Sequence, residues 1–331
     1  MDVLSDVITA VRAGRPHSSR RSKYAPWGMR FPASEGAGFH VVLQGSAWLI
    51  PPGEAPAVRL GVGDVVFLAH GRGHALADDP GTPLVDVFPG PDGTWPTAAD
   101  EPPPDASAPV TQLLCGAYQL NRARAHPLLS HLPDVVHLPA GVGTQPALRA
   151  AIDLLGSELR TPLPGSDAVI PALLDTLLLY ILRTWWLGEQ ASSRTGGRPA
   201  GWAAALADPA VSAALSAVHD DPARPWTVGE LGALSGLSRA AFARRFTALV
   251  GEPPLTYLTW WRMATAGRML RADDAPLRSV AQRSGYASEF AFAKAFKREY
   301  GMAPGQYRRQ TGRPGDAQPG PAPAHHGGGR T

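Results

Sequence analysis

The sequence predicts an α+β chain: a small N-terminal β-barrel plus helices, then an all-α C-terminal domain with two helix-turn-helix units joined by a long helix. Three observations carry this. Residues 22–90 alternate strand signals with Gly and Pro turns, the pattern of a barrel or sandwich. Near the C-terminus the chain repeats itself: residues 238–246, followed by Gly251, Pro254 and Tyr257, return as residues 288–296, followed by Gly301, Pro304 and Tyr307. Eight positions keep the same residue, which marks a repeated supersecondary unit. Charge is divided too. Residues 202–310 hold 14 Lys/Arg and 9 Asp/Glu, a net of +5, and residues 1–201 hold 15 and 18, a net of −3.

At 331 residues, two domains are the natural expectation. The start, Met1 to Asp6, is acidic and lacks the architecture of a signal peptide. A lone cysteine, Cys115, excludes an intramolecular disulfide and fits a reducing cytoplasm. Strand signals lie at 39–43, 46–50, 65–68 and 84–88, with breaks at Gly45, Pro51-Pro52-Gly53 and Gly61–Asp64. Residues 90–105 read as a Pro-rich extended loop, and 110–118 and 135–138 return as strands. These elements form a barrel over residues 1–145.

Two helices follow, 146–160 and 167–187, a helical region that is a candidate for dimerisation. The second is apolar nearly all round, so it must be buried on several sides. Either a second subunit covers it, or the barrel and helix 146–160 do. Asp175 and Arg183 interrupt its apolar run, which argues against a membrane span. Residues 188–201 read as a flexible linker and 311–331 as a disordered tail.

Each copy of the repeat has the grammar of two helices around a tight turn, the first over about 227–250 and the second over about 277–300. Ser238 and Ser288 supply N-caps, and Gly251 and Gly301 supply left-handed stops. Gly232 and Ala281 sit four places before the turn glycines Gly236 and Gly285, where two helices must cross closely. Phe242 and Phe246 share one helix face, as do Phe292 and Phe296, and those faces predict core. The opposite faces carry Arg239, Ala240, Ala243, Arg244 and Arg245 in the first unit. In the second they carry Glu289, Phe290, Ala293, Lys294 and Lys297. Small residues and donors on the N-terminal half of a capped helix suit the major groove of duplex DNA. Pro254 opens a helix running to about Arg271. Its length, roughly 25–30 Å, is compatible with holding two such helices in successive grooves.

Residues 202–310 resemble the two-headed DNA-binding domain of AraC/XylS-family transcription regulators. The resemblance rests on Trp260-Trp-Arg-Met-Ala-Thr-Ala, Val280-Ala, Ser284-Gly-Tyr, Phe292-Ala-Lys-Ala-Phe296 and Gly301-Met-Ala-Pro-Gly-Gln-Tyr-Arg308. It implies a sequence-specific DNA-binding regulator of promoters or operators, located in the cytoplasm. Gly232 stands where that family usually has alanine, a departure expected to loosen the first helix.

The stretch from Gly63 to His74 is similar to the second cupin motif, with Ala69 in place of its proline. The first cupin motif would offer His-x-His, and here only His40 is present, with Val42 at the second place. Two histidines fall short of the three ligands an open metal site needs. No metal and no cofactor is therefore expected. His70 would complete a site only if its loop folded inward. The resemblance to cupin-type sensor halves implies a small-molecule effector pocket, for which His40, Trp48 and His74 are the candidates. RNA polymerase is an implied partner if the protein activates, and a homodimer is the expected assembly. Two alternatives stay open: a cupin-type metal enzyme fused to a DNA-binding module, and a ligand-independent DNA-binding factor.

Overall fold

The computed structural model describes residues 3–11, 16–34, 36–90, 109–118, 126, 129, 132–141, 145–194, 201–272 and 274–311. The predicted tail and most of the Pro-rich loop lie outside these residues. Among the described residues, the N-terminal part opens with α1 (Val3–Val11) and builds ten strands: β1 (His17–Tyr24), β2 (Gly28–Phe31), β3 (Ala37–Gln44), β4 (Ala47–Ile50), β5 (Val58–Leu60), β6 (Val65–Leu68), β7 (His74–Ala77), β8 (Val85–Asp86), β9 (Val110–Tyr118) and β10 (Val136–Leu138). They form two five-stranded sheets, ordered β1-β9-β3-β6-β10 and β5-β4-β7-β2-β8.

The period of two along each strand sorts the side chains. On β3, Phe39 and Val41 enter a core shared with the helices, while Val42 enters the core between the sheets. Leu114 and Leu113 of β9 divide the same way. The first sheet is therefore buried on both faces, and its inner strands read as near-continuous apolar runs. Gly116 is required on β9 because a Cβ there would overlap the Phe39 ring.

Two helices cover the outer face of this sheet, α2 (Pro146–Arg160) and α3 (Ser166–Arg194). Leu174, Leu177, Leu178, Ile181 and Leu182 of α3 are buried, and the Tyr118 hydroxyl donates to the Leu174 carbonyl at 2.8 Å. By length and composition Ser166–Glu189 is apolar enough to cross a membrane. Here its apolar face packs on α2 and the sheet. The sequence placed a linker at 188–201, but α3 continues to Arg194 and the next helix starts at Gly201. Glu189, Gln190 and Ala191 are good helix formers, and propensity here outweighs the nearby Gly188.

The C-terminal part is all helix: α4 (Gly201–Ala207), α5 (Pro209–Asp220), α6 (Val228–Ala233), α7 (Arg239–Val250), α8 (Pro254–Ala272), α9 (Leu277–Arg283), α10 (Glu289–Tyr300) and α11 (Pro304–Thr311). The four repeat phenylalanines are fully buried, as their spacing requires. The two copies do not share one core. Phe242 and Phe246 join a cluster that runs through Trp202, Trp261 and Val211 to Val7 and the β-sheet. Phe292 and Phe296 close a separate cluster with Met263, Leu270, Val280 and Tyr307.

A polar junction sits where the first cluster crosses between the two parts. The Tyr257 hydroxyl of α8 lies 2.7 Å from His219 Nε2 of α5 and 3.1 Å from His126 Nε2. His219 Nδ1 lies 3.3 Å from the Asp6 carboxylate of α1. Desolvation by burial lowers the pKa of both histidines, with the Asp6 hydrogen bond opposing the effect at His219. Both are thus neutral at pH 7, and one proton pattern satisfies all four groups. His219 donates from Nδ1 to Asp6 and accepts at Nε2 from the tyrosine, while His126 donates from Nε2 to the tyrosine oxygen. Asp6, His126, His219 and Tyr257 thereby tie α1 and the sensor half to the first head.

Candidate nucleic-acid interface and sensor cavity

Both heads are built by the same local rules. Ser238 accepts from the Ala241 amide at 3.3 Å, and Ser288 accepts from the Ala291 amide at 3.1 Å. Gly251 and Gly301 stop their helices at φ of +88° and +73°. In the first head Thr227 and Glu230 form a reciprocal capping box that starts α6. The turns close alike, with Leu237 N–H donating to the Gly232 carbonyl at 3.0 Å and Tyr286 N–H to the Ala281 carbonyl at 2.9 Å. A Cβ at Gly232 would sit 2.9 Å from the Leu237 carbonyl oxygen. The glycine therefore lets α6 and α7 close together.

The second helix of each head turns its apolar face inward and leaves the other open. In α7, Arg239, Ala240, Arg244 and Arg245 are exposed and Ala243 is half-buried. In α10, Glu289, Phe290, Lys294 and Lys297 are exposed and Ala293 is half-buried. One of these residues is engaged elsewhere. Arg245 pairs with Asp208, its Nε at 2.7 Å from Oδ2, and Asp208 also caps α5. Sequence reasoning counted Arg245 among the open donors; the brace to α5 takes it toward the domain body.

The 19-residue strut α8, about 28 Å long, joins the heads. Arg262 of α8 donates from Nε to the Pro222 carbonyl at 2.7 Å and from Nη2 to the Arg224 carbonyl at 2.9 Å. Its guanidinium also lies against Gly285, where a Cβ would meet Nη2 at 2.8 Å. One side chain thus touches the strut, the approach to the first head and the turn of the second. Tyr300 adds a bond from its hydroxyl to the Met263 carbonyl at 3.1 Å, and Tyr307 pairs with Arg271.

The barrel holds a small cavity of about 50 Å³ between its two sheets. Its wall includes His17, Ser19 and Arg21 of β1, Phe31 of β2, His40 of β3, His74 of β7 and Cys115 of β9. Strand register explains the grouping, since Ser19 and His40 both pair with Cys115 across β9. His40 and His74 meet from opposite sheets, Nε2 to Nε2 at 2.7 Å, and His40 Nδ1 lies 3.0 Å from Cys115 Sγ. Trp48, also expected there, is not part of the wall. Its cross-strand neighbours are Arg59 of β5 and Ala77 of β7. Cys115, Arg21 and Phe31 were missed. For β1 the only signal was a polar strand whose alternate residues are His17, Ser19 and Arg21.

Burial sets the protonation of this row. Desolvation lowers the pKa of His40, with smaller contributions from His74 and Arg21, and takes His74 down to about 4. Desolvation pushes the Cys115 thiol up to about 12, opposed by Arg21. His74 also bonds to the Arg72 backbone. The neutral row therefore runs one way: thiol to His40 Nδ1, His40 Nε2–H to His74 Nε2, and the other His74 nitrogen to the Arg72 carbonyl. Cys115 and His74 approach opposite edges of the His40 ring, so these three cannot converge on one ion in this arrangement. His70 instead lies 2.9 Å from the Leu132 carbonyl through Nε2. Among the described residues no group of three or more His, Cys, Asp or Glu is placed to hold a metal.

A cupin family model matches residues 2–186, and a helix-turn-helix domain model matches residues 231–310. An AraC-like transcription regulator of Streptomyces antibioticus is 34% identical over 314 residues, covering 93% of this chain and 99% of that one. The chain belongs to the AraC/XylS family of transcription regulators. As an AraC-family regulator it binds DNA through the helix-turn-helix domain and carries a cupin-like N-terminal half. MtrA of Neisseria gonorrhoeae, an HTH-type transcriptional regulator, is 30% identical and covers 94% of this AraC-family chain and 99% of its own. The solved DNA-binding domain of AdpA, in complex with a target DNA, is 33% identical, covers 31% of this chain and 92% of that one, and has a TM-score of 0.30.

Proposed function

We propose that this regulator is a one-component switch in the cytoplasm. A small molecule enters the cavity around His40 and His74, and α7 and α10 read a promoter or operator. The observation that carries the DNA-reading assignment is the pair of equivalent, capped helices, each with an open polar face, fixed to one strut. Arg239, Ala240, Ala243 and Arg244 form the reading face of the first head. Glu289, Phe290, Ala293, Lys294 and Lys297 form that of the second, with Ser238 and Ser288 at the helix starts. Contact with RNA polymerase follows if the output is activation. No catalytic role is assigned.

Arg244 and Arg298 test the reading face. Arg244 is exposed beside Ala240 and Ala243, whereas Arg298 lies late in α10 and bonds to Glu299 at 3.2 Å. Arg244→Ala is expected to cost about 1–3 kcal/mol of discrimination and to relax one base position. Arg298→Ala is expected to leave the selected site unchanged. Selection from randomised duplexes reads both, and an unchanged motif for Arg244→Ala removes the base-reading role.

We infer a homodimer through the outer side of α2 and α3. Leu154, Leu163 and Val169 are exposed there at 59%, 63% and 43%. Leu177 and Leu178 of α3 are buried within the chain, so charging either one breaks the core. Leu154→Glu and Val169→Glu leave that core intact. Sedimentation should find the wild type dimeric and one or both variants monomeric and folded, with weaker operator binding. A monomeric wild type at micromolar concentration excludes the dimer.

A further inference from the structure

We propose that Phe290 reads a thymine through its 5-methyl group, so that the two heads recognise chemically different half-sites. The proposal rests on the assignment of α10 as a recognition helix. Phe290 is 81% exposed, more than any other large apolar side chain among the described residues. Its neighbours Phe292 and Phe296 are fully buried, so the core of the second head is complete without it. It is the second residue of α10, whose N-terminal end carries the Ser288 cap. That is the part of a recognition helix that reaches base edges.

In the repeat, Phe290 takes the place of Ala240, and the flanking positions change as well. Glu289 stands for Arg239 and Lys294 for Arg244. The first head thus presents two arginines, suited to the acceptor edge of guanine. The second presents a carboxylate, an aromatic ring and two ammonium groups. The Glu289 carboxylate is repelled by phosphates, which sets this end of the helix against base edges and away from the backbone. Lys294 and Lys297, one and two turns further on, are placed for phosphates. An aromatic ring offers no hydrogen bond to a base edge. The one feature of the major-groove floor it recognises is the apolar methyl of thymine.

The test uses the full-length protein. Its preferred duplex is selected from random sequence, and each thymine of the second half-site is replaced in turn by deoxyuridine, which removes only the methyl. At one of these thymines the wild type should lose about four-fold in affinity, the worth of one buried methyl-sized group. Phe290→Ala should bind the thymine duplex about as weakly and show no further loss on the deoxyuridine duplex. Phe290→Leu should keep part of the preference. Because Phe290 lies outside both cores, each variant should retain the wild-type circular dichroism and the first half-site preference.

The proposal is overturned if the wild type ignores every thymine-to-deoxyuridine change, if no thymine is selected in that half-site, or if Phe290→Ala keeps the deoxyuridine penalty. Salt-sensitive binding with no methyl dependence defeats this proposal and leaves the recognition-helix assignment standing. Absence of duplex binding defeats both.

Discussion

Stability is expected to fall steeply between pH 7 and pH 5, with buried histidines as the cause. Desolvation lowers the pKa of His40, His126 and His219, and brings His74 to about 4. In the unfolded chain each titrates near 6.5. Between those values the unfolded state binds protons that the native state does not, so stability is full above pH 6.5 and declines as pH falls toward 4. His74, partly buried, contributes about 1–2 kcal/mol of loss at pH 5. The other three act in the same direction. Urea denaturation at pH 7.5, 6 and 5 should show the midpoint moving down with each step. A midpoint that stays level over this range would mean that the histidines are not held neutral by the fold.

The second large effect separates two tyrosines that the repeat makes equivalent. Tyr257→Phe removes the hydroxyl shared by His126 and His219, and leaves two buried imidazole nitrogens without that partner. Each such orphan costs about 1–3 kcal/mol, so a loss of roughly 2–4 kcal/mol is expected. Tyr307→Phe removes a hydroxyl paired with Arg271, a half-buried cation with access to water. Its expected cost is about 1 kcal/mol. Chemical denaturation of both variants gives the comparison, and equal losses would remove the special role of the Tyr257 junction. The junction also offers a physical route between the two halves, because Asp6 and His126 belong to the sensor half and His219 and Tyr257 to the DNA-binding half.

The C-terminal domain was legible because its rules are local. Ser caps, Gly stops and Phe pairs at i and i+4 each declare themselves within a few residues, and the repeat states them twice. The barrel was legible where its strands are apolar. β3, β6 and β9 announce themselves with Val, Leu and Phe, but β1 reads as His-Ser-Ser-Arg-Arg-Ser-Lys-Tyr. Its inward residues are polar because they line the cavity, so the feature that makes the strand part of the site also hid it. Cys115 joined the site through register with Ser19 and His40, a long-range fact with no local signature. Trp48 was misplaced because it alternates with Ala47 and Leu49, which enter the core between the sheets, and so lies on the other face of β4. The engagement of Arg245 by Asp208 was equally invisible, since that pair is 37 residues apart in sequence.

The central claim is that two heads, held by one strut, engage one face of a duplex. Hydroxyl-radical and guanine-N7 protection of the selected site by the full-length protein tests it most directly. The account predicts two protected major-groove patches on the same face, centred about 10 base pairs apart, that weaken together as salt is raised. A single protected patch, or two patches on opposite faces, would contradict it.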